Sequence, residues 1–205
     1  MQPLFNDDHP QFPQAGWGMK MQFKTAILSL ALALAAHGSV DTARATSVTC
    51  PNTTITVVSH QPETTDLICA AAARADALFG RCQVPRMSRP IQIEVVETIK
   101  DGCVALYHCD DDVIRVLPPD LMQGRRDAGG AFAHLGIEAY FTSVIVHELA
   151  HAANASMPCA YESCVVADEY VAYALQIMSL KPEDQTAFVE RSNLDGPVLA
   201  EELSA

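Results

Sequence analysis

The stretch Val144–Ala153 reads VIVHELAHAA, three polar residues set in an otherwise apolar run. Residues with good helix propensity carry the pattern from Ile137 to Asn154, and Met157-Pro158 ends it. Four residues of helix turn through about 400°, so His147 and His151 leave one face about 40° apart, one turn from each other. Both imidazoles can reach a single metal ion. Glu148 lies between them in sequence with its carboxylate over the same side, where it can take a proton from a water activated by the metal. Val144, Ile145, Val146, Leu149, Ala150, Ala152 and Ala153 are all uncharged, which predicts a buried helix. Burying three polar groups without a partner is unfavourable, and a bound cation removes much of that penalty.

Two histidines of this kind need a further protein ligand. The next predicted helix, from about Val165 to Leu180, offers two acids, Asp168 and Glu169. Glu169 shares a face with Val165, Val166, Ala172, Tyr173 and Gln176, an acid on an apolar stripe unless something cationic meets it. No basic residue lies between Arg126 and Lys181. Asp168 is the rival, about 100° around the helix, its other role being an acid favoured at a helix start. Glu169 is the preferred ligand. Tyr173, on the same face, is the preferred donor to a developing oxyanion, with Tyr161, Tyr170, His134 and His108 as alternatives.

Outward from these helices the chain reads as strand, helix, three strands, then helices. Thr53–Ser59 is rich in β-branched residues and predicts a strand, and Thr65–Phe79 predicts a helix with Gly80 after it. Ile91–Ile99 alternates apolar and polar positions, and Cys103–Cys109 and Val113–Leu117 follow across turn signals at Asp101-Gly102 and Asp110-Asp111-Asp112. These three strands are expected to form a meander. Residues 120–136 are expected to be irregular, and Pro182 opens a short last helix. The acidic run Asp110–Asp112 reads as a solvated turn. The pattern is α+β, a small twisted sheet packed on an N-terminal helix and on the HELAH helix.

Residues 19–45 have the layout of a secretory signal peptide: Lys20 and Lys24, the apolar run Ala26–Ala36, then a polar segment ending at Ala43-Arg44-Ala45. Eleven residues fall short of the roughly 20 that span a bilayer. Cleavage is expected after Ala45, with Ala36-His37-Gly38 as the second choice, and residues 1–18 form an upstream extension. The mature domain is then 46–205, periplasmic or secreted, with no membrane span. Of its charges, Asp and Glu outnumber Lys and Arg, and the whole chain carries −12, which excludes an electrostatic grip on nucleic acid. All seven cysteines lie after residue 45, and in an exported chain disulfides are expected. Cys103 is expected to bridge Cys109 across a hairpin and Cys159 to bridge Cys164 across a loop, leaving one of Cys50, Cys69 and Cys82 unpaired.

The HELAH motif with a glutamate on a later helix resembles the zincin metallopeptidases. Asn154 and Met157 stand where the metzincin pattern has glycine and histidine, whereas Glu169 lies close to the gluzincin spacing. EYVAYALQ after a cysteine-bearing loop is also similar to small exported zincin-like proteins of bacteria. The resemblance implies a zincin-like fold and Zn2+ bound by His147, His151 and Glu169. It also implies Glu148 as general base and then acid, and a peptide or protein substrate lying along an edge strand, either Val104–His108 or Val113–Leu117. Gluzincins often carry an aspartate at the position of Tyr173, so the support of the histidines departs from the family. A catalytically inactive zincin-like scaffold, binding zinc or a protein partner, is the alternative.

Overall fold

Five strands form one sheet in the order β1-β2-β3-β5-β4: β1 Thr46–Thr49, β2 Ile55–Ser59, β3 Ile91–Val95, β4 Ala105–His108 and β5 Val113–Val116. The computed structural model describes residues 44–85, 87, 89–155, 157–158 and 164–192. Apart from Arg44 and Ala45, the expected extension and leader lie outside them. Five α-helices accompany the sheet: α1 Pro62–Cys82, α2 Pro119–Arg125, α3 Ile137–Asn154, α4 Val165–Met178 and α5 Pro182–Arg191. The fold is α+β.

Strands β2, β3 and β5 run parallel, and the flanking β1 and β4 are antiparallel to their neighbours. Parallel neighbours need a crossover, and α1 supplies it between β2 and β3. The alternation of each strand sends Ile55, Val57, Ile91, Ile93, Ile114 and Val116 to one face, where all are buried under α1 and α3. The opposite face carries Gln92, Glu94 and Arg115, joined by hydrogen bonds from Gln92 and Arg115 to Glu94.

Helix α1 exceeds the expected span by three residues at each end. Pro62 sits in its first turn, where the missing N–H removes nothing. Its end is set by Gln83 in the left-handed region at φ 58°, with the Val84 N–H returning to the Phe79 carbonyl, so Gly80 is not the terminator. The bounds of α3 and the start of α5 agree with the sequence reading. Among the described residues no helix is long and apolar enough to cross a membrane.

Three expectations are corrected. The three strands do not form a meander: β3 pairs with β5, and β4 lies outside, because the connection after β3, through a 3-10 turn at Lys100–Gly102, passes the β5 position before the β4–β5 hairpin returns to fill it. Residues 119–125 form α2 rather than irregular chain, since Pro119 starts a helix and Met122 anchors it in the core. Cys103 and Cys109 are both free and exposed. They flank a single extended strand, so their Cα atoms stand roughly 20 Å apart at ordinary strand rise, far beyond disulfide reach.

Cys50 bridges Cys69, tying the turn between β1 and β2 to α1 and leaving Cys82 as the unpaired member of its trio. Cys164 is disulfide-bonded; Cys159, its expected partner, lies outside the described residues. Alkylation of the native protein followed by mass spectrometry should label Cys82, Cys103 and Cys109 and spare Cys50 and Cys69. Replacing Cys50 and Cys69 together by alanine should lower the unfolding free energy by about 3 kcal/mol, from the loop entropy that the bridge removes. An unchanged denaturant midpoint would show that it adds no stability.

Candidate metal centre

Helix α3 runs through the interior between α1, α4 and the β4 edge, and from Phe141 to Ala150 every residue is buried. Its apolar members pack on all sides, which leaves His147 and Glu148 with only 9% and 7% of their surface exposed. A cleft of about 600 Å³ opens along their face. Its walls include residues 103–107 of the β4 segment, His147, Glu148 and His151 of α3, and Asp168, Glu169, Tyr173 and Gln176 of α4.

At the floor of this cleft the two imidazoles converge, with 3.1 Å between His147 Nε2 and His151 Nε2. Glu169 spans both: its Oε2 lies 3.6 Å from His147 Nε2 and its Oε1 lies 3.5 Å from His151 Nε2. These three residues form a cluster that could hold a metal ion. The spacing fits one. A tetrahedral ion with bonds of about 2.0–2.1 Å places its ligand atoms about 3.4 Å apart, and the observed separations bracket that value.

The chemistry of the donor set points the same way. Burial above all, then the neighbouring His151, pulls the His147 imidazole down to about 4, so at neutral pH it carries a lone pair rather than a charge. Two imidazole nitrogens and a carboxylate then face one another with more lone pairs than protons, an arrangement that a cation satisfies.

Glu148 sits beside this cluster and is pushed the other way. Burial raises its carboxyl to about 7; the Tyr107 backbone N–H donates to the carboxylate and opposes the rise, and the Glu169 charge adds to it. Tyr173 stands edge-on to the His147 ring, with 4.6 Å between centroids, and its phenol is exposed to the cleft. Burial, then Glu169 and Glu148, raise its pKa, so the hydroxyl keeps the proton it can donate.

The structure thus brings together His147, Glu148, His151, Glu169 and Tyr173. Asp168 lines the cleft but is not in the cluster. The alternatives to Tyr173 are elsewhere: His108 contacts Arg115, His134 bonds the carbonyls of Ala131 and Asp184, and Tyr170 is exposed outside the cleft. Tyr161 lies outside the described residues. Of the two candidate edges, β4 is the outer strand and β5 is interior.

Sequence reading missed two contributors. The Tyr107 N–H left no signal, since any residue supplies a backbone amide. Gln176 did, standing seven residues after Glu169 on the same side of α4; it is buried and hydrogen-bonds Ser143 of α3 at 3.2 Å.

In a metal-free chain the raised Glu148 pKa means that the fold retains a proton which the unfolded chain releases. The stability tied to this group is complete below about pH 4.5 and is lost as pH rises through about 7. In the presence of chelator, urea unfolding of the wild type should therefore weaken across that window by up to about 3 kcal/mol more than that of Glu148→Gln. Parallel profiles would show that the carboxyl is not desolvated.

No curated protein and no solved structure matches the chain. One family model matches residues 55–205, from β2 onward, and so takes in the whole cluster with both helices that carry it. The chain belongs to the family of unknown function DUF6639.

Proposed function

We propose that this protein is an exported zinc metallopeptidase with a zincin-like fold, in which His147, His151 and Glu169 form a gluzincin-type ligand set. One observation carries the reading: the Nε2 atoms of both histidines and the Glu169 carboxylate meet within 3.6 Å of their nearest neighbours, beside the buried carboxyl of Glu148. Zn2+ held there supplies Lewis acidity, polarising a carbonyl and lowering the pKa of a water.

The chain's own groups do the rest. The Glu148 carboxylate accepts the proton of the attacking water and then delivers it to the amine nitrogen as the C–N bond breaks. Its raised pKa suits both halves, and the Tyr107 N–H holds the carboxylate in place. The Tyr173 hydroxyl donates to the oxygen that gains charge as the carbonyl is attacked.

A peptide is the substrate best matched to the cleft because β4 runs along it as an edge strand. Val104 accepts from Leu117 across the hairpin, so by antiparallel alternation Ala105 and Tyr107 turn their backbone groups away from β5; the Tyr107 N–H is taken by Glu148, which leaves the Ala105 N–H and carbonyl and the Tyr107 carbonyl for a partner strand. An extended segment can add there as a further strand. The Cys50–Cys69 bridge is compatible with a periplasmic or secreted location.

Purified protein should contain one zinc per chain and cleave unstructured peptides. Glu148→Gln should keep the zinc and lose at least about 100-fold in kcat/KM, and Asp168→Asn should keep both zinc and activity. Removing Glu169 should weaken zinc binding. Zinc retained without hydrolysis in the wild type would favour an inactive scaffold, and absence of zinc would sink the site as a whole.

A further inference from the structure

The His147 imidazole has two nitrogens with different surroundings. Nε2 reaches the cluster, while Nδ1 is buried and has no hydrogen-bond partner among the described residues. A helical side chain leans back over the preceding turn, which places Nδ1, the nitrogen nearer the backbone, over the turn that contains Ser143. Across that turn lies the Gln176 amide, only 3% of the residue being exposed.

The hydrogen bonds around this amide have one consistent polarity. The Ser143 hydroxyl donates its only proton to the Tyr140 carbonyl at 2.8 Å. It can therefore only accept from Gln176, and the atom facing it must be Nε2, at 3.2 Å. Flipping the amide would require the Ser143 hydroxyl to give up its bond to the Tyr140 carbonyl and turn its proton to Gln176. Gln176 Oε1 is thus left as an acceptor, and Gln176 favours the protonated form of the His147 imidazole, opposing the effect of burial.

We infer that Gln176, locked by Ser143, is a positioning residue that holds the proton of neutral His147 on Nδ1 and so keeps the Nε2 lone pair directed into the cluster. The inference rests on the metal reading of that cluster. An acceptor behind a ligating imidazole orients the ring and selects the tautomer that can bind. Tyr173 stands where the related enzymes often carry an aspartate, and it meets the ring edge-on instead. The acceptor arrives from one turn further along α4.

The test uses the metal-free chain, with histidine tautomers read from long-range 15N–1H spectra under chelation, and zinc affinity measured by competition with an indicator. Wild type should show His147 protonated at Nδ1. Gln176→Met, close in volume but without an acceptor, should shift the proton toward Nε2 and weaken zinc binding about 10- to 100-fold. Gln176→Glu restores an acceptor and should rescue both readouts. Ser143→Ala frees the amide to flip and should give an intermediate loss.

Equal loss in the Met and Glu variants would show that Gln176 only fills space and would overturn the proposal, as would a Met variant unchanged in tautomer and affinity. A wild type that carries the Nδ1 proton, shifts it in Gln176→Met and yet takes up no zinc would support the lock while sinking the metallopeptidase reading.

Discussion

Helix α3 is buried on every side from Phe141 to Ala150, apolar but for a few residues, and the rest of the domain is arranged to cover it. The sheet contributes one buried face, α1 the packing on a second side and α4 a third, so His147 and Glu148 are left with only the cleft to face. Buried polar groups must find partners or carry a large penalty. Here they find them by converging: the two imidazoles meet each other, Glu169 comes across from α4, and a backbone amide of β4 meets Glu148. The covering elements are thus also the walls of the cleft.

Burial also orders the electrostatics. The same desolvation lowers His147 to about 4 and raises Glu148 to about 7, so each favours its neutral form, and at neutral pH the imidazole is uncharged while the carboxyl is near its midpoint. A cation at the cluster reverses this balance by favouring the carboxylates and occupying the imidazole lone pairs. Glu169 is half-exposed, whereas Glu148 is buried and is the group whose state is most sensitive to what the cleft holds. The proposed division of labour follows from that difference in depth.

Much of this was legible in the sequence, where one strong local signal was enough. The α3 boundaries, the i, i+4 histidines and the proline-led start of α5 are short-range features. The failures were all long-range or ambiguous. Cys103 and Cys109 suggested a closed loop because spacing does not say whether six residues turn back or run straight. Pro118-Pro119 reads equally as a stop and as a helix start. The strand order could not be read, because alternation reveals which face of a strand is buried and says nothing about its neighbours. Gln176 was visible as a residue on the Glu169 side of α4, but its use depends on Ser143, thirty-three residues away.

The sequence by itself determined the chemistry available on one helix face: HELAH over a 3.6-residue period puts two imidazoles and a carboxylate together, wherever the helix packs. Which acid of α4 joins them was a tertiary decision. Asp168 and Glu169 differ by about 100° around the axis, and the rotation of α4 is set by Ala172, Leu175 and Gln176 burying against the core. That rotation turns Glu169, Tyr173 and Gln176, at i, i+4 and i+7, toward His147 and leaves Asp168 on the cleft wall, outside the cluster. Local periodicity can place residues on a face, but only packing decides what the face meets.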